Sequence, residues 1–218
     1  MKKFFRNNGL SICFLFLFLI AMAGQWITGF NTYNSDQREE GRQPVSFAQY
    51  SSSGHFIQST FENWESEFLQ MALFVVFTIF LYQKGSSESR KLDEKEEVDR
   101  EPSPDREGAP SPVKAGGIAL KLYKHSLSIV LFFLFAVSFA LHFKGSLMDE
   151  NEERLNAGMP AMDAGRYLGD SRFWFESFQN WQSEFMSVFA IVVLSIYLRQ
   201  QGSPQSKPVD ASHHETGG

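Results

Sequence analysis

The sequence predicts an all-α, polytopic membrane protein with four transmembrane helices, arranged as two parallel two-helix repeats with extracytoplasmic amphipathic helices. The first observation behind this prediction is the apolar content: 23 Phe and an aromatic share of 15% exceed what a soluble domain of 218 residues needs. This content is concentrated in four apolar runs. A bilayer core roughly 30 Å thick is crossed by about 20 helical residues. The four predicted spans are about 10–30, 66–83, 125–145 and 183–200.

The apolar runs favour helices over the strands of a membrane barrel. Inside the hydrocarbon layer every backbone N–H and C=O group must find a partner within the protein, which leaves helices or a closed barrel. Residues 14–20 and 129–135 are apolar at every position, whereas barrel strands alternate between apolar and polar residues. The predicted spans are therefore helical.

The distribution of basic residues predicts the orientation of these spans. Of the 20 Lys and Arg residues, 14 lie in the N-terminal tip, in the segment 84–124 and in the C-terminal tail, and six lie in the other two loops. Lys and Arg near span ends are retained on the cytoplasmic side. Both termini and the middle segment are therefore expected in the cytoplasm.

The first apolar run also resembles a cleavable secretory signal. The alternative to a retained transmembrane span is therefore a segment that is removed after secretion. Lys2, Lys3 and Arg6 precede the apolar stretch, and small residues near Ala23 resemble a cleavage site. The apolar character continues past Ala23 to Phe30, which is long enough for a full span. Its counterpart in the second half lies in mid-chain, where a signal sequence does not occur, so retention is the favoured interpretation.

A shift of 117 residues aligns residues 10–89 with residues 127–206 without a gap. The densest match joins Phe61–Phe68 to Phe178–Phe185, which share an Asn-Trp-x-Ser-Glu-Phe element. Two spans in each half give two halves of the same orientation. The predicted organisation is a first repeat (1–90), a disordered cytoplasmic linker (91–117), a second repeat (118–207) and a disordered tail (208–218).

Helix start and stop signals recur in both halves. Ser46 and Gln49 form a predicted capping box, and Asp163 occupies the equivalent cap position. A second cap is predicted at Ser53 and at its counterpart Asp170. Each half therefore reads as a span, an outer loop, a short helix and a long helix that begins outside the membrane. The glycines at positions 85 and 202 are expected to end the long helices in a left-handed conformation.

One group of polar residues is a candidate site. Trp64 and Trp181 are predicted to anchor the long helices at the membrane interface. Polar residues that end or enter the spans on the same outer side could meet around the pseudosymmetry axis as a proton, cation or small-ligand site. They are Asn63, Glu67, Asn180, Glu184, Gln25 and His142. The structural alternative is that these carboxylates and amides bond to neighbouring loops or remain in contact with water.

The sequence contains no GxSxG, HExxH, Walker, CxxC or GxGxxG motif in a usable context. We therefore expect no enzyme activity, no cofactor and no metal or nucleic-acid site, and Cys13 is interpreted as a packing residue. The predicted partners are the lipid bilayer and a second copy or another membrane protein. The function predicted is that of a structural or interaction component. The alternative is a small transporter or channel built around Glu67 and Glu184.

Three short elements carry a resemblance to a known family. Residues 8–11 (Asn-Gly-Leu-Ser), residues 54–56 (Gly-His-Phe) and Asn63–Phe68, with a Gly-Ser pair after the second span, resemble an uncharacterised family of small bacterial membrane proteins classed as a domain of unknown function. The resemblance covers about residues 7–206. It implies a multi-pass protein of the bacterial plasma (inner) membrane with four helices, and it implies no activity.

Overall fold

The computed structural model describes residues 2–217, which form an all-helical chain. The all-α prediction is confirmed, since 67% of the chain is helical and no strand occurs among the described residues. The helices are α1 (Lys2–Glu39), α2 (Phe47–Tyr50), α3 (Gly54–Phe77), α4 (Ser111–Ala115), α5 (Gly117–Lys124), α6 (Ser126–Asn156), α7 (Ala164–Tyr167) and α8 (Ser171–Tyr197). A 3₁₀ turn at Glu97–Asp99 lies between α3 and α4.

The helices are distributed over two compact units. Unit 1 contains the residues up to Thr60 together with Leu141–Gly169. Helices α1, α2 and α7, the start of α3 and the C-terminal half of α6 belong to it. Unit 2 contains Phe61–Ala140 and the residues from Asp170 onward. It holds the rest of α3 and α6, the middle segment, α8 and the C-terminal residues.

Within residues 2–217, two helices, not the four predicted, are long and apolar enough to cross a membrane by length and composition. They are Lys3–Glu39 and Ser126–Asn156, each with a mean hydropathy of 2.2 in its most apolar window. Those windows are 0% and 17% buried, respectively, so their side chains do not form a core within the chain. A core helix of a soluble protein is mostly buried, and these helices differ from it in this respect.

Helices α3 and α8 do not meet the same criterion because each combines a polar first half with an apolar second half. Helix α3 carries Glu62, Glu65 and Glu67 before its apolar stretch begins, and it ends at Phe77. The apolar residues 78–82 of the predicted span therefore lie beyond the helix. The apolar composition predicts a span at 66–83, but only residues 66–77 of this span are helical.

The predicted caps are confirmed in both halves. The Ser46 hydroxyl accepts from the Gln49 N–H while the Gln49 side chain accepts from the Ser46 N–H, which completes the capping box of α2. Asp163 caps α7 and Asp170 caps α8 with their carboxylates. These side chains satisfy backbone donors that a helix start leaves without a partner. They fix where the short and long helices begin.

The residues that follow α3 and the C-terminal tail make local contacts within unit 2. The Ser86 and Ser195 hydroxyls lie 3.0 Å apart, which joins the segment after α3 to the end of α8. The Gly85 N–H donates to the Thr216 hydroxyl at 2.9 Å. Gly85 has a φ of +89°, as expected for a left-handed glycine, but it lies eight residues beyond the end of α3.

Candidate functional site

An aromatic cluster connects α1 to the short helix α2 in unit 1. The Trp26 ring stacks between Phe47 and Phe56, with ring centroids 5.4 and 5.3 Å away. Tyr50 is 1% exposed. A Cβ added at Gly29 would lie only 2.2 Å from the Tyr50 hydroxyl oxygen. A side chain at Gly29 would displace the Tyr50 ring. This glycine therefore lets α2 pack directly on α1.

Helix α7 packs on α6 in a corresponding way. Tyr167 is fully buried and its hydroxyl shares a hydrogen bond with the Ser146 hydroxyl. The Phe143 ring lies 5.8 Å from the Tyr167 ring. Tyr167 and Ser146 are each 117 residues after Tyr50 and Gly29. Both short helices thus present one buried tyrosine to the long helix that precedes them.

An asparagine closes the loop after each of these long helices. The Asn34 amide donates to the Val45 carbonyl at 3.1 Å and accepts from the Val45 N–H at 2.7 Å. Asn151 makes the same pair of bonds to Met162, at 3.0 and 2.6 Å. We call these two arrangements the asparagine clamps. Each clamp satisfies both backbone groups of one residue, which fixes the base of the outer loop.

A partly buried hydrogen bond joins α1 to α6 near their C-terminal ends. The Tyr33 hydroxyl donates to Glu152 Oε1 at 2.6 Å, and the Gln37 amide donates to the same oxygen at 3.3 Å. Burial and the neighbouring Glu152 carboxylate raise the pKa of Tyr33 above its usual value. Tyr33 therefore remains protonated and serves as a donor, since a phenolate beside a carboxylate would be repelled.

An acidic cavity opens beside this hydrogen bond. It has a volume of about 190 Å³ and is formed by side chains of α1, the following loop, the start of α3 and the end of α6. Its lining residues are Tyr33, Asp36, Gln37, Glu40, Arg42, His55, Asp149, Glu152 and Glu153. Five carboxylates and one guanidinium leave a net charge of −4, and the guanidinium of Arg42 pairs with Glu40. We call this feature the acidic cavity.

A close crossing of α3 and α6 supports one wall of the acidic cavity. A Cβ added at Gly145 would lie 2.4 Å from the Gln58 nitrogen, and one added at Gly54 would lie 2.3 Å from the Asp149 nitrogen. Both contacts are with backbone atoms, which cannot rotate away. The two glycines therefore allow the helix backbones to touch. This contact places His55 and Asp149 in the same wall.

In unit 2, carboxylates face one another between α3 and α8. Glu65 is fully buried and accepts a hydrogen bond from the Trp181 indole N–H at 2.8 Å. Carboxylate oxygens of Glu62 and Glu176 lie within 4.8 Å of each other. The Arg172 guanidinium donates to Glu176 at 3.1 Å, which partly balances this pair. Trp181, predicted as an interface anchor, thus also serves as a hydrogen-bond donor.

The structure brings together some of the six residues of the predicted polar site. Glu67 and Glu184 both lie in unit 2, close enough for their charges to interact. The Asn180 amide donates to the Glu176 carbonyl, and Asn63 lies exposed on α3.

Gln25 and His142 of the predicted site belong to unit 1. The Gln25 amide donates to the hydroxyls of Ser59 and Thr60, at 3.5 and 3.3 Å, so it joins α1 to α3. His142 is fully buried on α6. Trp64, the other predicted anchor, is half-buried and packs edge-on against the Phe61 ring at 5.1 Å.

Sequence reasoning missed the acidic cavity and the Trp181–Glu65 pair. The loops after the first and third predicted spans were assessed through their few Lys and Arg residues, although both are rich in acidic residues. Asp36, Glu39 and Glu40 follow one span, and Glu152 and Glu153 follow the other. The acidic residues that follow both spans were the sequence signal from which the cavity could have been predicted.

One comparison with known proteins identifies the family. The family model described as Domain of unknown function (DUF6766) matches residues 1–218. The chain belongs to the DUF6766 family. No curated protein and no solved structure matches this DUF6766 chain. A function for it must therefore be inferred from its own residues.

Proposed function

We propose that this DUF6766 protein is an integral membrane protein that crosses the bilayer four times and acts by binding through unit 1. The observation that carries this proposal is the hydrogen bond between Tyr33 and Glu152. Tyr33 lies beyond the apolar part of α1, and Glu152 lies beyond the apolar part of α6. The bond therefore supports an arrangement in which both helices reach the same side of the membrane at their C-terminal ends.

Two spans that end on the same side require the chain between them to return across the bilayer. The apolar part of the intervening chain is the segment from Phe68 to Tyr82. Helix α3 supplies its first ten residues, from Phe68 to Phe77. We infer that this segment crosses back, with the polar first half of α3 in the headgroup layer. Helix α8, which has the same polar-to-apolar order, is inferred to cross in the same way.

The distribution of basic residues supports a cytoplasmic location for both termini and the middle segment. Unit 1 then presents its clamped loops and the acidic cavity on the outer side of a bacterial plasma membrane. The exposure of the apolar windows of α1 and α6 supports contact between these helices and lipid. In water such all-round apolar helices would associate nonspecifically.

Matching contacts in the two halves support a duplication with a shift of 117 residues. The asparagine clamps occur at positions 34 and 151, and each joins its asparagine to the residue eleven positions later. The short-helix caps at Ser46 and Asp163, and the buried Tyr50 and Tyr167, follow the same spacing. Such duplicated halves of equal orientation are a recognised plan for membrane proteins.

The role that we propose is non-enzymatic. The sequence lacks the motifs that place a nucleophile, a metal or a nucleotide, and the ordered part beyond the apolar helices forms a cavity rich in carboxylates. A charged cavity on rigid helices suits the recognition of a ligand or of a partner's cationic group. The protein is thus proposed to be a binding component of the membrane, alone or together with a second copy or another protein.

Reporter fusions test the four-crossing arrangement. Fusions after Asn34, Asp105, Asn156 and Ser212 should report outside, cytoplasm, outside and cytoplasm in that order. A cytoplasmic signal at Asn156 would place the ends of α1 and α6 on opposite sides and would overturn the proposal. A fusion after Gln83 serves as a further check on the return of α3, because it should report the cytoplasm.

A second candidate function is a small transporter, and the proximity of Glu67 and Glu184 favours it. Two carboxylates whose charges interact at the membrane edge can share a proton or a cation. If they do, the double replacement E67Q/E184Q should abolish cation-driven flux in proteoliposomes, whereas the E94Q variant in the middle segment should leave it unchanged. Absence of flux in the unaltered protein would remove this candidate.

A further inference from the structure

We propose that helix α5 is an interfacial anchor that docks on the anionic phospholipid headgroups of the cytoplasmic leaflet. The surface concerned belongs to unit 2 and is separate from the binding role of unit 1. The inference rests on the proposed four-crossing arrangement, which sets the side of the membrane on which α5 lies. It is supported by an uncovered apolar face, a local excess of lysine and a break in the helix before α6.

The apolar residues of α5 share one face of the helix, and this face is uncovered. At about 100° per residue, four apolar side chains fall within an arc of about 140°: Ile118, Ala119, Leu122 and Tyr123. Ile118 is 79% exposed and Leu122 is 58% exposed. Adjacent large apolar side chains on an open face are typical of a surface that meets a membrane or another molecule.

The opposite face of α5 is covered by the chain itself. The Lys124 ammonium group donates to the Glu101 carboxylate at 3.4 Å, and Leu120 is half-buried. Leu120 and Lys124 line a cavity that residues 98–102 also line. Because the middle segment occupies this side of the helix, the apolar face on the other side is left for a partner outside the chain.

The charge around α5 is complementary to an anionic surface. Residues 108–148 contain four lysines and no Asp or Glu, and three of these lysines lie within or shortly before α5. Lys114 and Lys121 are exposed and form no ion pair among residues 2–217. Basic residues close to an anionic leaflet are attracted by its negative surface potential. A second copy would instead bring the same positive charge to this face, which disfavours a dimer there.

The break before α6 lets α5 lie along the membrane surface while α6 crosses the bilayer. The chain leaves helical geometry at His125, with a φ of −116° and a ψ of 9°, so α5 and α6 do not form one continuous helix. The first turns of α6 expose Leu127 and Val130, which belong to the apolar surface proposed to contact lipid. An amphipathic helix with lysines on its polar face lies in the interface with its apolar face toward the acyl chains. Helix α5 has this composition and this position in the chain.

Spin-label accessibility in the full-length protein in lipid nanodiscs tests the proposal. A nitroxide label is attached at I118C in a C13S background, because Cys13 is the single cysteine of the chain. In discs that contain phosphatidylglycerol, lipid-soluble oxygen should reach the label and a water-soluble nickel chelate should not. In discs of phosphatidylcholine alone, the shielding from nickel should fall. The matched control is V98C, a similarly exposed apolar position between two carboxylates, which should stay open to nickel in both lipids.

Lysine variants in the same I118C background test the electrostatic part of the proposal. The K121Q variant should lower the ratio of docked to undocked α5 about fivefold in the anionic discs, and K114Q/K121Q should lower it about twentyfold. The matched control is K95Q, which removes the charge of an exposed lysine outside α5 and should leave the ratio unchanged. Equal losses in K121Q and K95Q would overturn the proposal.

Three further results would also overturn it. An I118C label as open to nickel as the V98C label would show that α5 stays in water, and equal shielding in both lipids would exclude an anionic partner. Shielding that occurs only in discs with two copies of the protein would assign the face to a second copy. The reporter fusion after Asp105 does not depend on lipid contact by α5. A cytoplasmic signal there with a water-exposed label would reject the anchor and retain the four crossings.

Discussion

Replacing Gly145 by alanine should destabilise unit 1 by preventing the close crossing of α3 and α6. The new Cβ would lie 2.4 Å from the Gln58 nitrogen and 2.9 Å from the Ile57 carbonyl carbon. Ordinary contact begins near 3.4 Å, so the two backbones must separate by roughly 1 Å. Overpacking of this kind costs about 1–3 kcal/mol or more, whereas alanine improves helix propensity by about 1 kcal/mol. We expect the overpacking to dominate because both helices present backbone atoms.

The matched control for this substitution is Gly24→Ala in α1, where an added Cβ has no atom within 4 Å. The unfolding temperature of purified protein in detergent, followed by circular dichroism, should fall for G145A and stay equal or rise for G24A. About 2–4 °C are expected for each kcal/mol in a chain of this length. An unfolding temperature of G145A equal to that of G24A would refute the close crossing.

Three further predictions concern partly buried hydrogen bonds. The N34A variant should lower the free energy of unfolding by about 1–3 kcal/mol, because it leaves a loop N–H and C=O without partners; an unchanged chemical-denaturation midpoint would contradict the clamp. Since the Glu152 carboxylate and burial raise the pKa of Tyr33 in the folded protein, stability present below about pH 10 should be lost as the pH rises above it. Thermal unfolding at several pH values should show a smaller loss in Y33F, and equal losses would argue against this role. The W181F variant keeps an aromatic ring but removes a donor to buried Glu65, and it should unfold at a lower temperature than the unaltered protein; identical melting curves would exclude the bond.

The local rules of helix capping were sufficient to predict how the short helices begin. Ser46, Asp163 and Asp170 act as caps because a side-chain oxygen near a helix start meets backbone N–H groups whatever the tertiary context. The all-helical class followed equally well from the all-round apolar runs. The helix caps and the helical class could both be predicted because they depend on residues that are close together in the sequence.

Features that depend on contacts between distant residues could not be predicted in this way. The apolar run after Phe68 was correctly found, but composition does not indicate that α3 ends at Phe77. Glu65 is buried against Trp181, 116 residues later, and the spacing of polar residues along α3 does not indicate this contact. The pair Glu67 and Glu184 was placed together through the repeat, which relates positions but gives no distances.

The acidic cavity escaped prediction for the same reason. Tyr33 and Glu152 are 119 residues apart and are not equivalent in the repeat, so the alignment of the halves did not pair them. The counterpart of His55 in the second half is Arg172, so the repeat gave no indication of a role for this histidine. Its place in the cavity depends on the glycine contact between α3 and α6.

The asparagine clamps have a consequence for how this family can diversify. Each clamp closes a ring of ten residues, at positions 35–44 and 152–161, whose base is held by one amide and one backbone unit. Residues of a ring that lie beyond the end of its helix can be exchanged without loosening that helix. Glu40 and Arg42, which line the acidic cavity, lie in the first ring beyond the end of α1, so related proteins could acquire new ligand preferences through substitutions in this loop while the helical framework stays the same.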